Sequence, residues 1–184
     1  MTTRRRSERG SVMVETAIVV PVMLLIFAGL SQLAFAMSTS SSATGASRSG
    51  ARLAASVYAE AALSGDATQL NNTLDAIRLG VERDLSSRPA GATPTTLWLY
   101  RANASGDPAS GAACASDCIR WTWNGTQFAS RSGTWPNPDS CGSVVDSVGV
   151  RVSLTYDVAS PLLGDVTIRR STTMRLEPVT NLAC

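Results

Sequence analysis

The sequence predicts an α+β chain. An N-terminal transmembrane helix extends into an exported helical segment, which packs on a C-terminal antiparallel sheet. Three observations predict this. Residues 12–37 are an almost unbroken apolar run, apolar residues recur at intervals of three and four over 70–85, and alternation of apolar and polar residues takes over from about residue 97. On this reading residues 1–10 are a basic leader, 11–37 the transmembrane helix, 38–90 the exported helical segment and 91–184 the antiparallel β domain. A chain of 184 residues holds one ordinary domain beside such an anchor.

Charge is distributed as unevenly as hydropathy. The net charge of +2 hides a leader that carries Arg4, Arg5, Arg6 and Arg9 against Glu8, which leaves 12 Arg and 13 acidic residues beyond it. The exported part is therefore close to neutral, and it has no clustered basic stripe of the kind that neutralises phosphates. Nucleic acid is not an expected partner.

Within the apolar run the clearly polar residues are Glu15, Thr16, Ser31 and Gln32. A spanning helix needs about 20 mostly apolar residues, which this stretch supplies. Basic residues precede it and none follows before Arg48, so the positive-inside rule puts the N-terminus in the cytoplasm and the C-terminal domain outside a single-pass cell-membrane anchor. The competing reading is a secretory signal cut after Ala36, in the tripeptide Ala34-Phe35-Ala36. It would make the chain a secreted or membrane-tethered binding protein. A carboxylate inside the run, and helix-compatible sequence continuing past Met37, oppose that alternative. Pro21 removes a backbone donor and kinks the span, either without consequence or to suit packing between helices.

The most informative stretch is Gly10-Ser11-Val12-Met13-Val14-Glu15: basic residues, a glycine, four residues, then a glutamate at the edge of the apolar helix. It resembles the class III leader of type IV pilins and pseudopilins. The resemblance implies that a prepilin peptidase cuts between Gly10 and Ser11 on the cytoplasmic side, leaving Glu15 as the fifth residue of the mature chain. A carboxylate in hydrocarbon is costly unless it is paired. The new α-amino group of Ser11 on one chain would pair with Glu15 of its neighbour, so Glu15 would act in assembly. Snorkelling to the interface is its structural alternative.

The wider pattern is similar to the TadE-like family of the tight adherence (Tad) pilus system. It is carried by Arg9-Gly10-Ser11-Val12-Met13-Val14-Glu15-Thr16-Ala17, the Val/Leu-rich run with Pro21, and the Ala/Ser/Gly-rich stretch with Gly50-Ala51-Arg52. It extends to the tail Ser171-Thr172-Thr173-Met174-Arg175-Leu176-Glu177-Pro178. Pilins usually place an aromatic residue after the glutamate; Thr16 stands there here. The resemblance implies a minor pseudopilin with a pilin-like fold. Its expected partners are the membrane, a prepilin peptidase, and other pilin or pseudopilin subunits with the pilus assembly machinery.

Beyond the span, residues 38–62 are small and helix-compatible, with Leu53, Val57 and Ala61 four apart, although Ser and Gly near their start also suit a flexible tether. Ser64-Gly65-Asp66 breaks the pattern and offers an N-cap. Leu70, Leu74, Ile77, Val81 and Leu85 then form one apolar stripe on a helix that ends by residues 88–91.

The remainder reads as strands. Residues 97–100 form a short strand. Ile119, Trp121 and Trp123 alternate with Arg120 and Thr122, and Asn124-Gly125 predicts a two-residue hairpin that sets Trp121 opposite Phe128. These aromatics form sheet core or a binding surface. Val148, Val150, Val152, Leu154, Tyr156 and Val158 alternate strictly, residues 159–164 turn, and Val166, Ile168, Thr172, Met174 and Leu176 return. Arg170 interrupts that face as a bulge, an edge or a subunit contact.

Cys114, Cys118, Cys141 and Cys184 all lie in the exported part, where two disulfides are expected and three pairings are open. A zinc site would need sharper ligand spacing, and the chain has no His, so no metal and no cofactor is expected. The lack of His also excludes Ser-His-Asp and Cys-His nucleophile systems, and no phosphate-cradling Gly-rich loop precedes a helix. No catalytic residue is assigned and the chain is read as a structural subunit rather than an enzyme. Asparagines 71, 103 and 124 sit in chance matches to the glycosylation acceptor pattern.

Overall fold

The computed structural model describes residues 8–141, 145–157 and 164–179, with side chains from residue 12 onward. Arg4, Arg5 and Arg6 of the leader, Val158, most of the 159–164 turn and Cys184 lie outside the described residues. The chain divides into two compact units, Met1–Met37 and Ser38–Cys184. Helix α1 (Glu8–Leu63) contributes to both, so residues 38–62 are helical and not a tether.

In the second unit two helices cover one face of a five-stranded sheet. Helix α2 (Ala67–Leu85) starts where expected: Asp66 is extended, and its carboxylate accepts the Thr68 N–H at 2.8 Å, satisfying a donor the first turn leaves free. Leu74, Ile77, Val81 and Leu85 are buried, while Leu70 at the end of the stripe is half-exposed. The strands are β1 (Ala92–Ala102), β2 (Cys118–Trp123), β3 (Phe128–Ser132), β4 (Ser147–Tyr156) and β5 (Val166–Arg175). Their order is β3-β2-β1-β4-β5, antiparallel throughout.

Strand β1 is 11 residues long rather than the four expected from its apolar centre. The sequence hid its first half because Pro94 and a run of threonines sit there. Pro94 is tolerated because β2 pairs with β1 only over residues 96–100; at Pro94 the strand has β4 alone beside it, and the register shifts before Thr96. From there Leu97 faces Trp121 and Val152, and Leu99 faces Ile119 and Val150. These residues, with Val148 and Leu154, make the buried inner face under the helices.

The β2–β3 hairpin departs from the two-residue turn. Trp123, not Trp121, stands opposite Phe128, and the ladder shifts between Thr122 and Trp123. The reason is local. The Asn124 side-chain oxygen accepts from the backbone N–H of both Thr126 and Gln127 at 3.0 and 2.9 Å, and the Asn124 N–H bonds the Gln127 carbonyl. This closes a four-residue loop that outcompetes the tighter turn. Trp123 and Phe128 then meet edge to face, 5.1 Å between ring centres. Trp121 and Phe128 are core.

Strand β5 pairs with β4 without any shift, so Arg170 marks no bulge. It lies on the edge strand, and its Nε donates to Ser40 of α1 at 2.9 Å, while Thr172 two residues on shares a 2.9 Å hydrogen bond with Ser47. The polar interruption is thus a helix-to-edge contact. After β5 the buried Leu176 and a Glu177 N–H to Ala55 carbonyl bond tie the tail to α1.

After β3 the chain is pinned by Trp135, whose ring lies 5.0 Å from that of buried Tyr58 and whose carbonyl accepts the Tyr58 hydroxyl. Burial holds the Tyr58 hydroxyl above the usual tyrosine range, with Asp117 adding to the rise and Arg131 opposing it. Gly133 opens this segment at φ +81°, and a Cβ there would lie 2.3 Å from the Cys118 carbonyl oxygen, so only glycine fits.

Candidate functional site

The candidate site is the N-terminal segment that the leader pattern singled out. In the first unit α1 is apolar on every side and uncovered: Met13, Leu25 and Phe27 are more than two-thirds exposed, and its most apolar 18-residue window has a mean hydropathy of 2.3 with none of it buried. A helix apolar all round is stable in lipid or in a core, and no core covers this one within its unit. It is long and apolar enough to cross a membrane.

Five residues punctuate it. The Gly10–Ser11 peptide bond lies in the first turn of α1. Glu15 is exposed in the apolar surface and, among the described residues, has no hydrogen-bond or ion-pair partner. Thr16 beside it returns its hydroxyl to the Val12 carbonyl at 2.7 Å, hiding its own polarity within the helix. Pro21 lies inside the helix, one turn after Ala17, and cannot bond that residue's carbonyl. Val12, Met13, Thr16, Ala17, Val20 and Pro21 border a shallow open hollow of about 500 Å³ on the same stretch. A lone carboxylate beside an apolar hollow is suited to meeting a cation carried by a neighbouring helix.

The other end of the pattern does different work. In the second unit the buried face of α1 is built from Ala43, Ala46, Ser47, Gly50, Ala51, Ala54 and Ala55, with Tyr58 at its end. The sequence reading followed the larger Leu53 and Val57, which are only half-buried, and missed this face. Its signal was the recurrence of Ala, Ser and Gly at three- and four-residue spacing. Gly50 sits where α1 is closest to both layers: a Cβ there would be 2.6 Å from a Val81 methyl of α2 and 3.2 Å from a Val150 methyl of β4. Gly50-Ala51 is therefore a close-packing contact.

The cysteines fall partly into place. Cys114 and Cys118 are joined, their Cα atoms 5.2 Å apart, which fastens the loop after β1 to the start of β2. Cys141 is also disulfide-bonded. Cys184, the one cysteine then left in the sequence, lies outside the described residues.

No curated protein and no solved structure matches the chain. A family model does match, that of TadE-like protein, over residues 10–52. The match begins at the glycine of the leader pattern, takes in Glu15, Pro21 and the apolar helix, and ends two residues after Gly50. Over this segment the chain is similar to the TadE-like family.

Proposed function

We propose that the protein is a minor pseudopilin: a membrane-anchored structural component of Tad pilus assembly, without catalytic activity of its own. The TadE-like match supports a component related to the Tad pilus. The observation that carries the finer reading is Glu15, a carboxylate with no partner among the described residues of an otherwise apolar, uncovered helix. Such a group is costly in lipid unless a cation meets it.

On this reading residues 1–10 lie in the cytoplasm and the second unit outside the cell. A prepilin peptidase cuts between Gly10 and Ser11. The exposed α-amino group of Ser11 in one subunit then pairs with Glu15 of the next, which neutralises both charges and fixes the helices in register. Pro21 gives the helix a weak point one and a half turns further on, where packed subunits need it to bend. Other pilin or pseudopilin subunits and the assembly machinery are the partners.

Replacing Glu15 with Gln tests the pairing, because Gln keeps the shape and removes the charge. Protein level, disulfides and topology should hold, while crosslinking to partner subunits and surface piliation fall together. Wild-type assembly by Glu15→Gln would rule out charge pairing. Failure of the variant to accumulate would make Glu15 a determinant of insertion instead.

A further inference from the structure

In the second unit the exposed side of α1 and the neighbouring α2 border an open trough of about 860 Å³ that the argument for Glu15 does not use. Three exposed arginines line it: Arg48 and Arg52, one turn apart on α1, and Arg83 on α2.

Charge, bulk and backbone each leave this trough unfinished. Among the described residues none of the three arginines has an acidic partner. The chain does pair an arginine within a helix elsewhere: Arg78 of α2 meets Asp75 at 3.3 Å and Glu82 at 3.0 Å. Arg48 and Arg52 instead stand four residues apart, a spacing at which like charges weaken a helix. Leu79 is 49% exposed in the same trough. Beyond Met37 it and Val166 are the large apolar side chains left exposed among the described residues. Gly45 adds a third sign. Glycine weakens a helix interior, yet a Cβ at Gly45 would meet nothing within 4 Å, whereas one at Gly50 would strike Val81. No contact among the described residues calls for Gly45; close approach of a second backbone would.

We infer that the trough seats an acidic amphipathic helix of a different pilus subunit, with its carboxylates on Arg48, Arg52 and Arg83 and its apolar side on Leu79. The inference rests on the pseudopilin reading and names the surface and chemistry for one of its partners. Two helices side by side leave a groove that takes a third, and small residues such as Gly45 and Gly80 let that third backbone come close. Guanidinium forks match carboxylates. A second copy of this chain is poorly matched. On α2 Asp75 and Glu82 already serve Arg78, which leaves Asp84, and over residues 38–63 α1 offers Glu60 as its one acidic residue. Neither helix carries a free acidic row. Anionic lipid would satisfy the charges too, but a headgroup layer makes no use of a glycine in the floor of a trough.

The test uses the full chain in cells that carry the pilus machinery. The photo-crosslinker p-benzoylphenylalanine is placed at position 79 and, in a second variant, at position 56, which is also exposed in the trough. Crosslinked peptides are sequenced by mass spectrometry, and the mature N-terminus is read in the same samples. Irradiation should join the trough to a helix of another pilus subunit with a row of carboxylates along one side. Arg48→Gln, Arg52→Gln and Arg83→Gln should each lower the yield about threefold, as loss of an exposed ion pair does, and the triple variant about twentyfold. Gly45→Leu fills the open space and should hold protein level while blocking the crosslink. Crosslinks to a second copy of this chain or to lipid, none from either position, or yields indifferent to the arginines or to Gly45→Leu would each overturn the assignment. With an N-terminus at Ser11, any of these refutes the trough alone. An uncut leader removes the pseudopilin reading and this inference with it.

Discussion

Helix α1 is one element with two surfaces. Over residues 12–37 it carries Val, Leu, Ile, Met and Phe on every side, and these side chains are exposed. Over residues 39–61 its buried face is Ala, Ser, Thr and Gly, with Tyr58 as the one large side chain. Bulk is thus placed where no protein layer covers the helix and removed where two layers do. A helix entering lipid gains from large apolar side chains. One that must approach a sheet and a second helix gains from small ones, because its backbone comes closer and neighbouring Val and Leu fill the space. The same contrast sorts its polar residues: Ser40 and Ser47 bond the edge strand, and Glu15 has no described partner.

The contrast breaks most visibly at the cysteines. Closing a longer loop removes more entropy from the unfolded chain. Cys114 and Cys118 are four apart, and loss of that bridge should cost about 2 kcal/mol. If Cys141 is paired with Cys184, the loop is some tenfold longer and its loss should cost about 4 kcal/mol. Non-reducing peptide mapping should recover that second bridge, and denaturation of Cys141→Ser should show the larger loss. A Cys141 peptide without Cys184, or equal losses, would contradict this.

Glycine substitutions sharpen the two-surface account. Gly50→Ala puts a methyl 2.6 Å from Val81, and overpacking of this kind should destabilise the second unit by about 1–3 kcal/mol. Gly29→Ala, where a Cβ meets nothing within 4 Å, should leave that unit's thermal midpoint unchanged. Equal effects at the two sites would refute the close-packing role of Gly50.

The smallest effect concerns pH. Tyr58 keeps its proton more tightly folded than unfolded, so its contribution to stability is complete below the unfolded tyrosine pKa of 10.0 and is lost as pH rises beyond it. Tyr100, also held up by burial, adds in the same direction. Stability should therefore be insensitive to tyrosine ionisation near neutrality and fall above pH 10, with a shallower fall in Tyr58→Phe; an unchanged alkaline slope in that variant would argue against Tyr58 as a source.

Much of this was legible in the sequence, for reasons tied to particular residues. The α2 stripe and the alternation over 148–156 were readable because Leu, Ile and Val announce a buried face. The small-residue face of α1 was not, since Ala and Ser are equally at home on an exposed helix. The long first half of β1 was hidden by Pro94, whose exemption depends on where β2 ends. The hairpin register turned on how many backbone donors the Asn124 side chain collects. The cross-strand row of Arg120, Trp98 and Arg151 was invisible because Arg120 and Arg151 are far apart in sequence and come to flank Trp98 only through strand register. At the N-terminal site the Gly10–Glu15 spacing was readable directly, being local in the chain.

The mass of the mature N-terminus tests the proposed processing most directly. Protein purified from membranes of cells that carry the pilus machinery should begin at Ser11, and a bulky residue at position 10 should block the cut. A chain beginning at Met37, or one retaining Met1 in the presence of an active prepilin peptidase, would contradict the account.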